Sequence, residues 1–136
     1  MLNIAIVDDE QMHRDILAKY IGEWTERRHC EAQAERFTSS EAYYFAWCAD
    51  QRVDVLVLDI MMGGADGISL ARRLREQGKD LTIIFTTGIA DYMQEGYEVE
   101  AMHYLLKPLE REKVWECLDR CLKRQEEETV WILLPT

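Results

Sequence analysis

The sequence predicts an α/β fold: a doubly wound, five-stranded parallel sheet in the order 2-1-3-4-5, with helices on both faces. Three observations carry this. Short apolar runs alternate with longer stretches whose apolar residues recur every three or four positions, the pattern of strands alternating with helices. Two of the runs, 53–59 (VDVLVLD) and 81–87 (LTIIFTT), are nearly continuous and rich in β-branched residues, as strands buried on both faces are. Several runs end on a carboxylate, a hydroxyl or a lysine, and in open α/β sheets ligands bind at the carboxyl ends of the strands.

The bulk properties agree with one globular domain. The chain has 136 residues, of which 48% are apolar and 31% charged, enough for a substantial core. Its net charge of −10 disfavours direct contact with nucleic acid, whose binding depends on neutralised phosphates. The first apolar run begins almost at once, so no signal peptide is expected, and no segment approaches the ~18 apolar residues of a membrane span. The cytoplasm is the expected compartment. Cys30, Cys48, Cys117 and Cys121 form no metal-type CxxC pair and are expected to be reduced, buried thiols.

The elements follow in order. Residues 3–7 (NIAIV) form the first strand, and Asp8-Asp9-Glu10 follow directly. Met12, Ile16, Leu17, Tyr20, Ile21 and Trp24 then give an amphipathic helix of about four turns. Its macrodipole favours anions at the N-terminus, so capping accounts for one or two of the acids there. Residues 30–37 alternate without a strongly apolar face and suit an edge strand. Ser39 or Ser40 caps a helix to about residue 50. Its Tyr43, Tyr44, Phe45 and Trp47 read as packing residues. The central strand ends on Asp59, while Asp54, near its start, is expected at the surface of the opposite edge.

Gly63, Gly64 and Gly67 mark a loop after Asp59, with Asp66 placed to cap a helix that carries Ile68, Leu70, Ala71 and Leu74 and ends near Gly78. The fourth strand, 81–87, is closed by Gly88. A marginal helix over 89–97, a short strand over 102–106 and Lys107-Pro108 come next. Val114, Cys117, Leu118, Cys121 and Leu122 share one stripe of a final helix over 110–124. Glu126 to Glu128 is a solvated charge run, and 129–134 (TVWILL) starts a fresh apolar run. The expected division is therefore a domain over 1–125, with 126–136 a linker or the start of a missing C-terminal output domain.

In this strand order four carboxyl ends converge. They supply Asp8, Asp9 and Glu10, then Asp59, then Thr86, Thr87 and Gly88, then Lys107. Clustered carboxylates need a cation, and an all-oxygen set suits a hard divalent ion such as Mg²⁺, with Mn²⁺ an alternative. The charges balance: Asp8, Asp9 and Asp59 total −3, and one divalent ion with Lys107 returns +3. Asp59 is then placed to attack a phosphoryl group and form an aspartyl-phosphate. Thr87 offers a hydroxyl to a phosphoryl oxygen, and Gly88 leaves room. Taken singly, each residue also fits a plainer role as a helix cap or a surface ion pair. Their joint occurrence at four strand ends favours a site.

At these residues the chain resembles a response-regulator receiver domain of a two-component system. The motifs are IVDDE (6–10), LVLDIMMGGADG (56–67), IIFTTG (83–88) and HYLLKP (103–108), and the likeness covers residues 2 to about 125. The resemblance implies a flavodoxin-like (CheY-like) fold with Asp59 as phosphoacceptor. It implies Mg²⁺ held by Asp8, Asp9, Asp59 and the backbone carbonyl of Met61. Thr87 becomes the switch hydroxyl, Tyr104 the switch aromatic and Lys107 the phosphate-binding lysine beside Gly88, with a cis peptide between Lys107 and Pro108. The implied partner is a sensor histidine kinase, and the implied chemistry is limited to self-phosphorylation and autodephosphorylation. Homodimerisation through the face of the fourth helix, fifth strand and fifth helix is a family option.

The segments around Asp91-Tyr92, Gly96-Tyr97-Glu98 and 101–108 are most similar to the LytTR-type subgroup, in which a receiver precedes a DNA-binding transcription-regulating domain. Departures from the family are Gly63 for a proline, Ala65 for a methionine and His103 for an acid. His103 reads as a surface residue or a pH-sensitive charge. His13 and His29 have no evident partner. A flavodoxin-type electron carrier shares the fold, but Asp8 to Glu10 would repel its phosphate. A metal-dependent hydrolase with an aspartyl nucleophile would need a covering insertion that this chain lacks. A stand-alone receiver acting by protein–protein contact is the remaining alternative.

Overall fold

The chain, seen in a computed structural model, is described over residues 1–62, 67–77, 81–88 and 103–133, with side chains as far as residue 127. The elements are β1 (Leu2–Val7), α1 (Gln11–Arg28), β2 (Ala32–Phe37), α2 (Ser40–Ala49), β3 (Val55–Asp59), α3 (Gly67–Glu76), β4 (Thr82–Thr87), β5 (His103–Leu106) and α4 (Arg111–Leu133). The five strands are parallel in the order β2-β1-β3-β4-β5, as expected. The loop 63–66, the Asp66 cap, the helix end near Gly78 and the helix over 89–97 lie outside the described residues. The expected fifth helix is α4 here.

Alternation along β3 divides the core. Leu56 and Leu58 face Tyr43 and Trp47 of α2 and Ile68, Leu70 and Leu74 of α3. Val55 and Val57 face Leu17, Ile21 and Trp24 of α1 and Val114, Leu118 and Cys121 of α4. All five residues of β3 are buried, which is what helices on both faces require of a central strand. By contrast β2 lies at the edge with no fully buried residue.

The helix ends have local causes. The Ser39 hydroxyl accepts the Ala42 N–H at 3.1 Å and so caps α2. His29 ends α1 in the left-handed region at φ 51, which gives it a backbone role. Trp24 is fully buried, and its Nε1–H donates to Asp119 Oδ1 at 2.9 Å, tying α1 to α4. Arg28 grips the same carboxylate at 2.9 and 2.7 Å.

Four expectations change. Met12 does not join the core: it is 63% exposed, and the buried stripe of α1 begins at Leu17. Asp54 is half-buried; its Oδ2 accepts the Asn3 N–H at 2.7 Å, which starts the pairing of β1 with β3. Cys48 is exposed and Cys30 half-buried, while Cys117 and Cys121 are buried, and all four are free. The final helix continues through the acidic run to Leu133, so the expected boundary at 125 falls inside α4. Glutamates are good helix formers, and neither glycine nor proline interrupts the chain before Pro135. Among the described residues no helix is long and apolar enough to cross a membrane.

Candidate functional site

The strand register builds the site. Val7 lies opposite Leu58, Asp59 opposite Thr86, and Thr87 opposite Leu106. The residues that follow each strand therefore meet on one edge. Asp8 leaves β1 fully buried, and its Oδ1 accepts the Glu10 N–H at 2.9 Å. That closes an Asx-type turn before α1. Glu10 is the N-cap residue of α1 but makes no side-chain capping bond. Side-chain capping of α1 therefore does not explain Glu10. Asp9 is exposed, and ligand oxygens of Asp8, Asp9 and Asp59 all lie within 4.8 Å of one another.

Lys107 reaches into this cluster from the end of β5. Its backbone N–H donates to Thr87 O at 2.8 Å, and the Lys107–Pro108 peptide is cis. Its Nζ lies 3.0 Å from Asp8 Oδ2 and 3.3 Å from Asp59 Oδ2, with its side chain 14% exposed. Asp59 is itself only 3% exposed. Burial raises its pKa, the charge of Asp8 adds to the rise, and Lys107 and the Met61 N–H oppose it; the net position is about 6. Two buried carboxylates and an exposed third, mutually repelling and offering oxygen donors alone, are chemically suited to a hard divalent cation.

Backbone contacts hold Asp59 and the turn that follows it. The Ile60 N–H donates to Thr86 O at 3.0 Å, and the Gly67 N–H to Ile60 O at 2.9 Å. A Cβ on Gly67 would come within 2.4 Å of the Asp59 carbonyl oxygen. Only glycine fits where α3 starts against the back of Asp59. Thr87 is fully buried at the end of β4, and a Cβ at Gly88 would meet nothing within 4 Å. Met61 follows Asp59 with its side chain 53% exposed. Tyr104, half-buried on β5, packs on Phe85 with ring centroids 5.6 Å apart. The pair lies on the sheet face that carries α2 and α3.

The chain matches the sequence profile of the response regulator receiver domain over residues 4–119. It belongs to that family. The receiver is 32% identical over 123 residues to the sensory transduction protein LytT of Bacillus subtilis, covering 90% of this chain and 49% of LytT. It is 34% identical over 119 residues to the positive alginate biosynthesis regulatory protein of Pseudomonas aeruginosa, covering 88% of this chain and 46% of that protein. The receiver thus spans about half the length of the curated relatives it matches. Two solved structures share the fold. The chemotaxis protein CheY4 of Vibrio cholerae superposes with a TM-score of 0.76 at 22% identity, over 89% of this chain and 98% of CheY4. The response regulatory domain of MrkE from Klebsiella pneumoniae gives 0.80 at 24%, over 93% and 99%. Receiver domains of two-component systems are regulators phosphorylated by sensor histidine kinases.

The structure also adds residues that the sequence left without a role. His13 Nδ1 lies 2.9 Å from Lys107 Nζ. The sequence places His13 in the first turn of a helix that starts at the site, but its direction depends on where that turn begins. Gly67 was read only as a loop residue, and its contact with Asp59 depends on how α3 enters. His103 has a partner after all, with Nε2 2.7 Å from Arg120 Nη1 of α4. Burial and the Arg120 charge hold its pKa below the usual value, against a smaller opposite pull from Glu116.

Proposed function

We propose that this receiver accepts a phosphoryl group on Asp59 from a sensor histidine kinase and uses it to switch an attached output. The observation that carries the reading is the buried Asp59 carboxylate set between Lys107 and the Asp8–Asp9 pair. Asp8, Asp9, Asp59 and the Met61 carbonyl are the residues that would hold Mg²⁺. When bound there, the ion neutralises the carboxylates and the developing charge on the phosphoryl oxygens.

A carboxylate oxygen of Asp59 attacks phosphorus in line. A P–O bond forms to Asp59 as the P–N bond of the donor phosphohistidine breaks, and the imidazole leaves with the electron pair. Lys107 pairs with one phosphoryl oxygen. Thr87 gives its hydroxyl to another, and the open space at Gly88 admits the group. Burial of Asp59 excludes bulk water around its neighbours and strengthens each of these interactions. Movement of Thr87 toward the phosphoryl group draws Tyr104 inward against Phe85. The face of β5 and α4, with the helix expected from the sequence over 89–97, then repacks, either as a homodimer interface or as the contact released to an output domain. Inverting such a two-state population takes about 5.5 kcal/mol of differential contact.

The output we propose is LytTR-type DNA-binding transcription regulation in the cytoplasm. Support comes from the likeness to LytT and from a matched length of only 49% of that protein. The domain would end near residue 125, with α4 running on toward the output. Incubation with acetyl phosphate and Mg²⁺, read by intact mass, tests the core of the reading. The wild type should gain one phosphoryl group and the Asp59→Asn variant none; equal uptake by both would remove Asp59 from the role.

A further inference from the structure

His13 belongs to no part of the phosphorylation set, yet it touches the group on which that set depends. Its Nδ1 lies 2.9 Å from Lys107 Nζ, and its side chain is 18% exposed. The same ammonium has Asp8 Oδ2 at 3.0 Å and Asp59 Oδ2 at 3.3 Å. An ammonium carries three protons and accepts nothing, so these three acceptors complete its shell. For the same reason the 2.9 Å contact uses the Nδ1 lone pair and leaves the ring proton on Nε2. Glu10 Oε2 at 3.2 Å and Asp8 Oδ2 at 3.6 Å would suit a proton on Nδ1 instead. The shorter contact with a pure donor decides against that arrangement.

The three acceptors are not equivalent. Asp8 and Asp59 belong to the carboxylate cluster, so the side chains that hold Lys107 at rest are also those that would hold a divalent cation. A divalent cation held there would compete with Lys107 for both anionic partners and would repel the ammonium. His13 stands outside the carboxylate cluster and is carried by the first turn of α1. We propose that His13 is a positioning residue for Lys107. In the cation-loaded, unphosphorylated receiver its Nδ1 keeps the ammonium at the site until the phosphoryl group arrives. This rests on the receiver reading of Asp59 and Lys107.

Linkage makes the inference measurable. On this proposal the His13–Lys107 contact is stronger when Asp8 and Asp59 are engaged by a cation, and by linkage its deletion then weakens divalent-cation binding. Calorimetric Mg²⁺ titration should show binding weakened about 2- to 5-fold in His13→Leu, the size of one lost hydrogen bond. His13→Asn, whose amide oxygen replaces the Nδ1 acceptor, should recover most of it. In a Lys107→Met background, His13→Leu should change nothing further. The ¹⁵N spectrum of the metal-free wild type should place the His13 proton on Nε2. Leu and Asn variants that behave alike, an effect that persists without Lys107, or a proton on Nδ1 would each overturn the proposal. A wild type that binds Mg²⁺ but takes up no phosphoryl group from acetyl phosphate strikes the receiver reading instead, and the Mg²⁺ cycle still decides the role of His13.

Discussion

Neutralising Asp59 should stabilise the metal-free receiver. The carboxyl sits at about 6 in the folded chain against an ordinary value of 3.8, because burial and the charge of Asp8 outweigh the help from Lys107. At 1.36 kcal/mol per pH unit that gap corresponds to roughly 3 kcal/mol. The sign follows from proton binding. Between pH 4 and 6 the folded state holds a proton that the unfolded chain has released. Stability from this group is therefore fully present below 3.8 and is lost as the pH rises through about 6. Asparagine cannot ionise, and it leaves Lys107 with Asp8 Oδ2 at 3.0 Å and His13 Nδ1 at 2.9 Å. Urea unfolding of wild type and Asp59→Asn in excess chelator should give nearly equal stability at pH 4. A gap of about 3 kcal/mol in favour of the variant should open by pH 7.5. Added Mg²⁺ should narrow the gap by stabilising the wild type more than the variant, which lacks one of the three carboxylates. An Asp59→Asn variant less stable than wild type at pH 7.5 without metal would refute this account of the carboxylate cluster.

Two further outcomes follow from packing. Gly67→Ala places a Cβ 2.4 Å from the Asp59 carbonyl oxygen, so α3 or Asp59 must move. We expect a loss of about 1–3 kcal/mol in urea unfolding together with slower phosphoryl uptake; an unchanged midpoint would contradict the close approach. Asp119→Ala leaves the buried Trp24 N–H without its acceptor and should cost about 1–3 kcal/mol, while Asp119→Asn keeps an acceptor and should cost less. Because the Arg28 hydrogen bonds hold Asp119 below the usual carboxylate range, its charge contributes stability above that range. The wild-type advantage over Asp119→Asn should therefore shrink as the pH falls through the depressed value, as thermal melts from pH 7 to pH 2.5 would show.

The sheet order was legible because each strand declared its environment. VLVLD of β3 can be buried on both faces only at the centre, and AQAERF of β2, with its alternating polar residues, only at the edge. Strand identity and chain order then placed Asp8, Asp9, Asp59 and Lys107 on one edge without knowledge of any distance. Local patterning told less about contacts decided across the fold. Asp54 looks like a surface acid in one dimension, but it becomes the acceptor for Asn3 once β1 and β3 pair. Charge and apolarity suggested a break near residue 125, yet helix propensity carried α4 through it.

His13 shows why the strand-end cluster was readable while its helix-borne neighbour was not. Asp59, Thr87 and Lys107 are tied to strands, where side chains alternate with period two. A one-residue slip would send each of them to the opposite face. Their presence at three strand ends is thus a strong constraint on register. His13 is tied to a helix, and its direction depends on where the first turn of α1 begins. That start is fixed by the Asp8 turn, through the Glu10 N–H at 2.9 Å, and by Arg14 Nη1 donating to Asp8 O at 2.7 Å. The acid that belongs to the carboxylate cluster therefore also sets the angle at which α1 leaves the sheet. Asp8→Ala should then remove one carboxylate and also release the His13–Lys107 contact. Restoring charge elsewhere in the cluster would not recover that contact, because its geometry comes from the turn.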